Sequence, residues 1–239
     1  MKEIDFTRRD PYGRALYDYF SRGEADPLLL HTSYDETEEM PVDWFFRDKH
    51  DFPELETHAL SLCRGKILDI GAGAGSHALY LQEQELEVYA LEQSPYCVRI
   101  MQERGIRQTI QQPYQLYTGH GYDTLLLLMN GIGITGTLEG LRSFLKQAHR
   151  WLHSDGCIIL DSSDISYLYE GQKKHLYPYF GEISYQYEYQ GEKGEWFNWL
   201  YIDAGMLKKL AAPLGWRTEV LFEDHNDQYL AILRSDKAR

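Results

Sequence analysis

Basic residues are scarce in this chain relative to acidic ones. Its 239 residues include 24 lysines and arginines against 37 aspartates and glutamates, which gives a formal net charge of −13. A protein that grips nucleic acid gains much of its affinity by neutralising phosphates, and an acidic surface opposes that contact. Because no long run of Lys or Arg compensates for this charge, the sequence argues against nucleic acid as a substrate or partner.

Cysteines and long apolar runs are scarce as well. The three cysteines, Cys63, Cys97 and Cys157, are far apart and lack ligand spacing, which predicts reduced thiols and no metal site. No window approaches the roughly 20 consecutive apolar residues of a membrane-spanning helix. The first residues also lack the apolar stretch of a secretory signal. We therefore expect a cytoplasmic protein that does not contact a membrane.

Strand and helix signals alternate through the middle of the chain. Four apolar segments are predicted to be buried strands: residues 66–70, 87–91, 124–129 and 157–161. Helical segments separate them, and this alternation predicts a parallel sheet with crossover helices. Residues 216–222 and 228–233 add a closing strand pair. The expected fold class is α/β, a doubly wound, mostly parallel sheet with an antiparallel last strand.

Two segments rich in aromatic residues depart from this alternation. Residues 1–58 contain a helix signal over 11–22 and are expected to form an N-terminal helical cap. Within residues 165–202, tyrosines alternate with polar residues at the period of a strand, which predicts an inserted β-hairpin. The domain organisation expected is therefore a cap over 1–58 and a Rossmann-like domain over 59–239 that carries the insertion.

Three glycines at alternate positions, Gly71, Gly73 and Gly75, follow the first predicted strand. Glycine lets the backbone turn sharply and lets a ligand approach without a Cβ in the way. The free N–H groups at the start of the next helix favour an anionic group. Asp69 precedes the glycines, and Glu92 ends the next strand near the roughly 20-residue spacing at which a carboxylate reaches ribose hydroxyls in βαβ units. This order predicts a nucleoside-binding site.

The segment resembles the class I S-adenosylmethionine-dependent methyltransferases, a Rossmann-like superfamily. Asp69-x-Gly71-x-Gly73-x-Gly75 matches the first motif of that family, and Glu92 matches its ribose-binding acid. The resemblance implies that the cofactor is S-adenosylmethionine. It places the glycine turn beside the methionine portion and Glu92 on both ribose hydroxyls. The remaining cofactor contacts that it implies are Ala72, Gln93, Gln111, Gln112, Met129 and Asn130.

One position departs from the pattern of the family. Many members place an acid after the third strand of their own sheet, where it accepts a hydrogen bond from the adenine amino group. Residues 109–112 stand at that position in this chain. This chain has the amides Gln111 and Gln112 there. A glutamine carbonyl can accept the same bond, so either residue is a candidate for that contact.

Two alternatives remain open at this stage. A nicotinamide-dependent oxidoreductase shares the fold, but its fingerprint requires glycine at the sixth place of G-x-G-x-x-G, where this chain has Ser76. A protein that binds the cofactor and acts by interaction, without turnover, would keep the same binding residues. Methyl transfer is the main prediction.

Candidates for catalysis and acceptor binding lie on several segments. The catalytic candidates are Asn130, His31 and Asp161. The acceptor-binding candidates are Tyr34, Arg47, Tyr187 and Trp199. Each also has an ordinary structural explanation in a turn, on the surface or in a packed face. No catalytic base is required, because displacement at a sulfonium can draw most of its rate from positioning.

Within the cap and the insertion, the aromatic-rich segments 28–52 and 183–201 are expected to cover the acceptor pocket, because the Rossmann-like sheet, its helices and the cofactor cleft do not include them. A dimer contact through the same segments is the alternative, so both a monomer and a homodimer remain open. The net charge and the aromatic flanks favour a small molecule as the methyl acceptor. The sequence does not identify it.

Overall fold

A computed structural model describes residues 9–34, 36–169, 178–225 and 227–236. The chain divides into two compact units. The first comprises Met1–Asp51, Gly71–Tyr117 and Ser184–Phe197, and the second comprises Phe52–Ile70, Thr118–Ile183 and Asn198–Arg239. Part of the inserted segment, residues 170–177, lies outside the described residues. The domain boundaries expected from the sequence stay a prediction.

Helices and strands alternate through most of the described residues. The helices are α1 (Pro11–Arg22), α2 (Glu54–Ser61), α3 (Ser76–Glu83), α4 (Pro95–Glu103), α5 (Leu138–Trp151) and α6 (Ala204–Ala211). The strands are β1 (Leu28–Thr32), β2 (Thr37–Met40), β3 (Lys66–Ile70), β4 (Glu87–Glu92), β5 (Thr109–Gln111), β6 (Tyr122–Leu127), β7 (Leu152–Ser163), β8 (Glu182–Tyr189), β9 (Glu192–Lys193), β10 (Phe197–Leu200), β11 (Trp216–Glu223) and β12 (Gln228–Ser235). Short 3-10 turns cover Val42–Phe46 and Gly131–Thr135.

The larger sheet of the chain is mixed, with parallel and antiparallel strands, which confirms the expected α/β fold class. In the second unit the order is β11-β12-β7-β6-β3. Strands β3, β6 and β7 are parallel, whereas β12 is antiparallel to both β7 and β11. In the first unit β4 and β5 are parallel. The antiparallel closing pair expected from the sequence is therefore confirmed.

The core of the second unit lies against its parallel strands. Leu125, Leu126, Ile158 and Ile159 have no exposed surface, as expected for parallel strands covered on both faces. Helix α5 is amphipathic and turns a buried face inward. It begins where the Thr137 side chain accepts a hydrogen bond from the N–H of Gly140.

The first unit contains an antiparallel sheet that the sequence predicted only in part. The expected hairpin is present, because β8 pairs with β9 through Glu188↔Lys193. Strand β1 pairs with β8 on one side and β2 on the other, and neither β1 nor β2 was predicted. Strand β2, Thr37–Met40, is mostly exposed and acidic. Its pairing with β1, rather than its own β propensity, makes it a strand.

Ser-Asp-Gly at residues 154–156 is a sequence typical of a turn before the predicted strand 157–161, but these residues belong to β7. The pairing of β6 with β7 changes register from Tyr122↔Leu152 to Thr124↔Cys157. The Ser-Asp-Gly signal therefore marks an irregularity within a strand and not its beginning. Within the described part of the chain, no helix has the length and apolar character needed to cross a membrane.

Candidate cofactor site

The glycine turn, defined as residues 71–75, leads from β3 to α3 in the conformation that the sequence predicts. Gly71, Gly73 and Gly75 have φ values of 76°, 56° and 83°, a region that other L residues rarely adopt. A Cβ on Gly75 would also lie 2.8 Å from Cγ of Met101. The N–H of Gly71 donates to the carbonyl of Leu91 at 2.8 Å. The turn is thus fixed against the end of β4.

Glu92 ends β4 and holds the glycine turn through its side chain. One carboxylate oxygen accepts a hydrogen bond from the N–H of Gly73 at 3.0 Å. The other oxygen accepts from the N–H groups of Gln93 and Ser94 at 2.7 and 2.9 Å. Glu92 is only 8% exposed. Burial raises the pKa of Glu92 above its ordinary value, although the three N–H donors act in the opposite direction.

The glutamines that follow β4 and β5 lie beside Glu92. Gln111 is the register partner of Glu92 in the parallel pair, and the N–H of Gln112 donates to the carbonyl of Glu92 at 3.0 Å. Gln93 and Gln111 are exposed, whereas Gln112 is half-buried. The structure therefore brings together Glu92 and the three glutamines that the resemblance assigns to the nucleoside.

The N-terminal caps of α1 and α4 are joined by a hydrogen bond next to Glu92. Asp10 caps α1 by accepting from the N–H of Gly13 at 2.8 Å, and Ser94 caps α4 by accepting from the N–H of Cys97 at 3.2 Å. The Ser94 hydroxyl also donates to the second carboxylate oxygen of Asp10 at 2.5 Å. Asp and Ser are residues favoured at such caps, and each stands before a proline here, whereas no local pattern indicates the bond between them. This bond fastens the first turn of α1 beside the turn that follows Glu92.

Tyr12, in that first turn, lies over the glycine turn. A Cβ built on Gly73 would be 3.2 Å from the Tyr12 hydroxyl oxygen. The Tyr12 ring packs edge-on against Phe45 and at a tilt against Tyr187, with centroids 5.2 Å apart in both pairs. Phe45 lies within residues 28–52 and Tyr187 lies in the hairpin. Both aromatic-rich segments thus meet at Tyr12, a residue that sequence reasoning did not single out.

In the second unit, the turn after β6 has a strained backbone that Asp161 holds. Met129 and Asn130 have φ values of 64° and 53°. The Asp161 carboxylate accepts from the N–H of Asn130 at 3.0 Å and from the N–H of Gly131 at 3.2 Å. The Ser163 hydroxyl donates to the side-chain oxygen of Asn130 at 3.0 Å. Asp161 is therefore engaged in shaping this turn.

Asp69, the first acid of the motif, lies near the end of β3 and is 3% exposed. Leu126 is its register partner in the parallel pairing of β3 with β6. Its negative charge adds to the effect of burial, which raises the pKa of the neighbouring Cys63 thiol. Asp69 is thus a buried acid of the second unit.

His31 lies in the antiparallel sheet. Its Nδ1 is 2.8 Å from Oγ1 of Thr37 and its Nε2 is 2.8 Å from Oε2 of Glu188. This contact with His31 lowers the pKa of Glu188 below its ordinary value. Both ring nitrogens of His31 are thus used within the sheet. The same residue lines an open cleft of about 210 Å³ that Lys193 and Trp196 also border.

The four acceptor-binding candidates differ in their exposure and in the contacts that their side chains make. Tyr34 is 56% exposed. Arg47 donates from Nε to the carbonyl of Trp44 at 3.0 Å, within its own turn. The indole of Trp199 lies so close to Gly133 that a Cβ there would collide with it. Tyr187 alone among the four has a described contact with Tyr12.

A strand, a glycine turn, a helix and a carboxylate at the end of the next strand define a Rossmann-like nucleoside-binding protein. The chain is similar over nearly its whole length to a methyltransferase from Bacteroides fragilis solved in complex with S-adenosyl-L-homocysteine. The two are 39% identical, the match covers 95% of this chain and 94% of that chain, and the TM-score is 0.88. The chain therefore belongs to the S-adenosylmethionine-dependent methyltransferases.

More distant solved structures share the fold. The CcbJ methyltransferase from Streptomyces caelestis is 13% identical, with 83% of this chain and 100% of that chain covered and a TM-score of 0.60. A methyltransferase from Clostridium acetobutylicum is 12% identical, with coverages of 93% and 97% and a TM-score of 0.55. No protein-family model and no curated protein matches the chain. The class I methyltransferase prediction is confirmed, and the oxidoreductase alternative is set aside.

Proposed function

We propose that this methyltransferase acts on a small molecule and holds S-adenosylmethionine with the glycine turn and Glu92. The buried Glu92 carboxylate bound to the N–H of Gly73 is the observation that carries this assignment. A carboxylate has about four acceptor positions, and three backbone N–H groups contact this one. Acceptor capacity for a ribose hydroxyl remains, so the residues present fit the nucleoside.

The other cofactor contacts follow from the resemblance and from the arrangement around Glu92. Gln93, Gln111 and Gln112 border the nucleoside, and the half-buried Gln112 is the better placed of the last two to accept from adenine. Gly71, Ala72, Gly73 and Gly75 would present their backbone to the methionine portion. The assignments of Asp69, Met129 and Asn130 stay predictions.

When bound, S-adenosylmethionine supplies a methyl group carried on a positively charged sulfur. The role of the protein is to bind and orient the cofactor and the acceptor and to exclude water. Tyr12 and Phe45 pack over the turn at Gly73, and Tyr187 packs against Tyr12, which supports a role in excluding water from the transferred group. Both oxygens of Asp161 accept backbone N–H groups, so we assign it to positioning the turn after β6 and not to proton abstraction.

Two observations favour a small acceptor over a polymer. Aromatic side chains cover the glycine turn, as expected where a site encloses its ligand. The net charge of −13 opposes the electrostatic contact with phosphates that nucleic acid requires. We rank a small molecule first, protein second and nucleic acid last.

A methyl-transfer assay that detects S-adenosylhomocysteine tests this proposal directly. The purified protein is incubated with a metabolite library, with a protein extract, and with RNA and DNA. Turnover should be found in the metabolite library and should be reduced in Glu92→Ala. Turnover on nucleic acid that weakens steeply with salt would overturn the ranking. Cofactor binding without turnover on any pool would favour the interaction-protein alternative, and tighter binding of NAD than of S-adenosylmethionine would overturn the cofactor assignment.

We further propose a cytoplasmic location and a monomer or homodimer. Cys63, Cys97 and Cys157 are free thiols, as is common in a reducing compartment. Cell fractionation tests the location, and light scattering on the eluted protein distinguishes the two oligomeric states.

A further inference from the structure

The hydroxyl of Tyr12 occupies a position that ring packing alone does not explain. It faces the glycine turn, 3.2 Å from the place that a Cβ on Gly73 would take. The ring below it is held by Phe45 and Tyr187. Among the described residues, no group forms a hydrogen bond with this hydroxyl. A ligand that lies along the turn would therefore find a polar group already aimed at it.

This hydroxyl stays protonated at ordinary pH. Burial, with the nearby Cys97, Tyr187 and Glu92, raises the pKa of the Tyr12 phenol well above its ordinary value. A phenolate would repel an anion, whereas a neutral phenol donates one hydrogen bond. The chemical state of Tyr12 thus suits a negatively charged or strongly accepting ligand group.

The backbone that carries Tyr12 is also fixed. Asp10 caps the first turn of α1 through the N–H of Gly13, and the Ser94 hydroxyl bonds to the same carboxylate. A donor that is already ordered loses little conformational entropy when it binds a ligand. The position of the Tyr12 hydroxyl is thus set before any ligand arrives.

We propose that Tyr12 donates a hydrogen bond to the carboxylate of the methionine portion of S-adenosylmethionine and thereby positions that end of the cofactor. The inference rests on the proposed function, in which the glycine turn runs beside the methionine portion. N–H groups at the start of α3 favour an anionic group at the same place. The methionine carboxylate is the only anionic group of this cofactor. Tyr12 is therefore a further binding residue of the methyl-transfer site.

The test compares two ligands that differ only in this carboxylate. Dissociation constants for S-adenosylmethionine and for its decarboxylated form are measured by calorimetry with the wild type and with Tyr12→Phe. Phenylalanine keeps the ring contacts and removes only the hydroxyl. Affinity for S-adenosylmethionine should fall about tenfold or more, as expected for a lost hydrogen bond to a charged group. Affinity for the decarboxylated form should not change.

The matched control is Tyr19→Phe, in the same helix. The ring of Tyr19 packs on Phe46 with centroids 5.1 Å apart. Removing the Tyr19 hydroxyl should alter the affinity for neither ligand. Equal losses for both ligands in Tyr12→Phe, or no loss for either, would overturn the proposal. A wild type that binds neither ligand would instead overturn the cofactor site itself, so the two failures are distinguishable.

Discussion

Replacing Glu92 by alanine tests the centre of the site most directly. The N–H groups of Gly73, Gln93 and Ser94 would each lose their carboxylate acceptor. A buried donor left unsatisfied costs about 1–3 kcal/mol. Water entering the space left by the side chain would reduce this cost, and the variant no longer has to bury a carboxylate. We therefore expect the free energy of unfolding to fall by about 2–4 kcal/mol, less than the full sum.

The same substitution should weaken cofactor binding. A hydrogen bond from a ribose hydroxyl to a charged acceptor contributes about 1.5–3 kcal/mol, so the loss of one such bond lowers affinity about tenfold or more. Calorimetry with S-adenosylhomocysteine measures the affinity, and urea denaturation followed by circular dichroism measures the stability. Calorimetry should be done at a temperature where the variant remains folded, because unfolding would lower the apparent affinity.

Glu92→Gln provides the matched comparison. Its amide keeps one oxygen for the N–H groups of Gln93 and Ser94 but presents a donor to the N–H of Gly73. Stability and affinity should therefore lie between those of the wild type and Glu92→Ala. If Glu92→Ala unfolds at the same urea concentration as the wild type and binds S-adenosylhomocysteine equally well, the role assigned to this carboxylate is refuted.

Three further substitutions test other parts of the molecule. Asp161→Asn leaves one acceptor for two N–H groups, so urea denaturation should show a loss of about 1–3 kcal/mol; unchanged stability would contradict the assigned positioning role. Ser94→Ala removes the cap of α4 and its bond to Asp10 and should cost about 1–2 kcal/mol in the same assay, whereas a neutral result would show that the joined caps add nothing. Arg47→Ala should slow methyl transfer while calorimetry finds cofactor affinity nearly unchanged; a loss confined to cofactor affinity would remove Arg47 from the acceptor side.

Local signals in the sequence predicted the parts of the fold that depend on neighbouring residues. The glycine turn follows from glycines at alternate positions, and the caps of α1 and α4 follow from Asp10 and Ser94 next to prolines. The buried strands follow from short apolar segments. Each of these features is specified within about ten residues, which is the range that periodicity and capping rules cover.

Features that depend on contacts between residues far apart in the chain could not be predicted from the sequence. Strand β2 is acidic and mostly exposed, and only its pairing with β1 defines it. The bond from Ser94 to Asp10 joins residues that are far apart in the chain. Tyr12 is one of 19 tyrosines, and no local pattern separates it from the others. Asp161 lies in β7, whereas the turn that it holds follows β6.

Position 13 shows how such a long-range contact restricts a residue that looks replaceable. Alanine is the best helix former in general, and Gly13 stands inside α1. Yet a methyl group there would collide with the Asp10 carboxylate and the Ser94 hydroxyl. A substitution that raised helix propensity at position 13 alone would therefore displace the Asp10 carboxylate or the Ser94 hydroxyl and weaken the joined caps of α1 and α4.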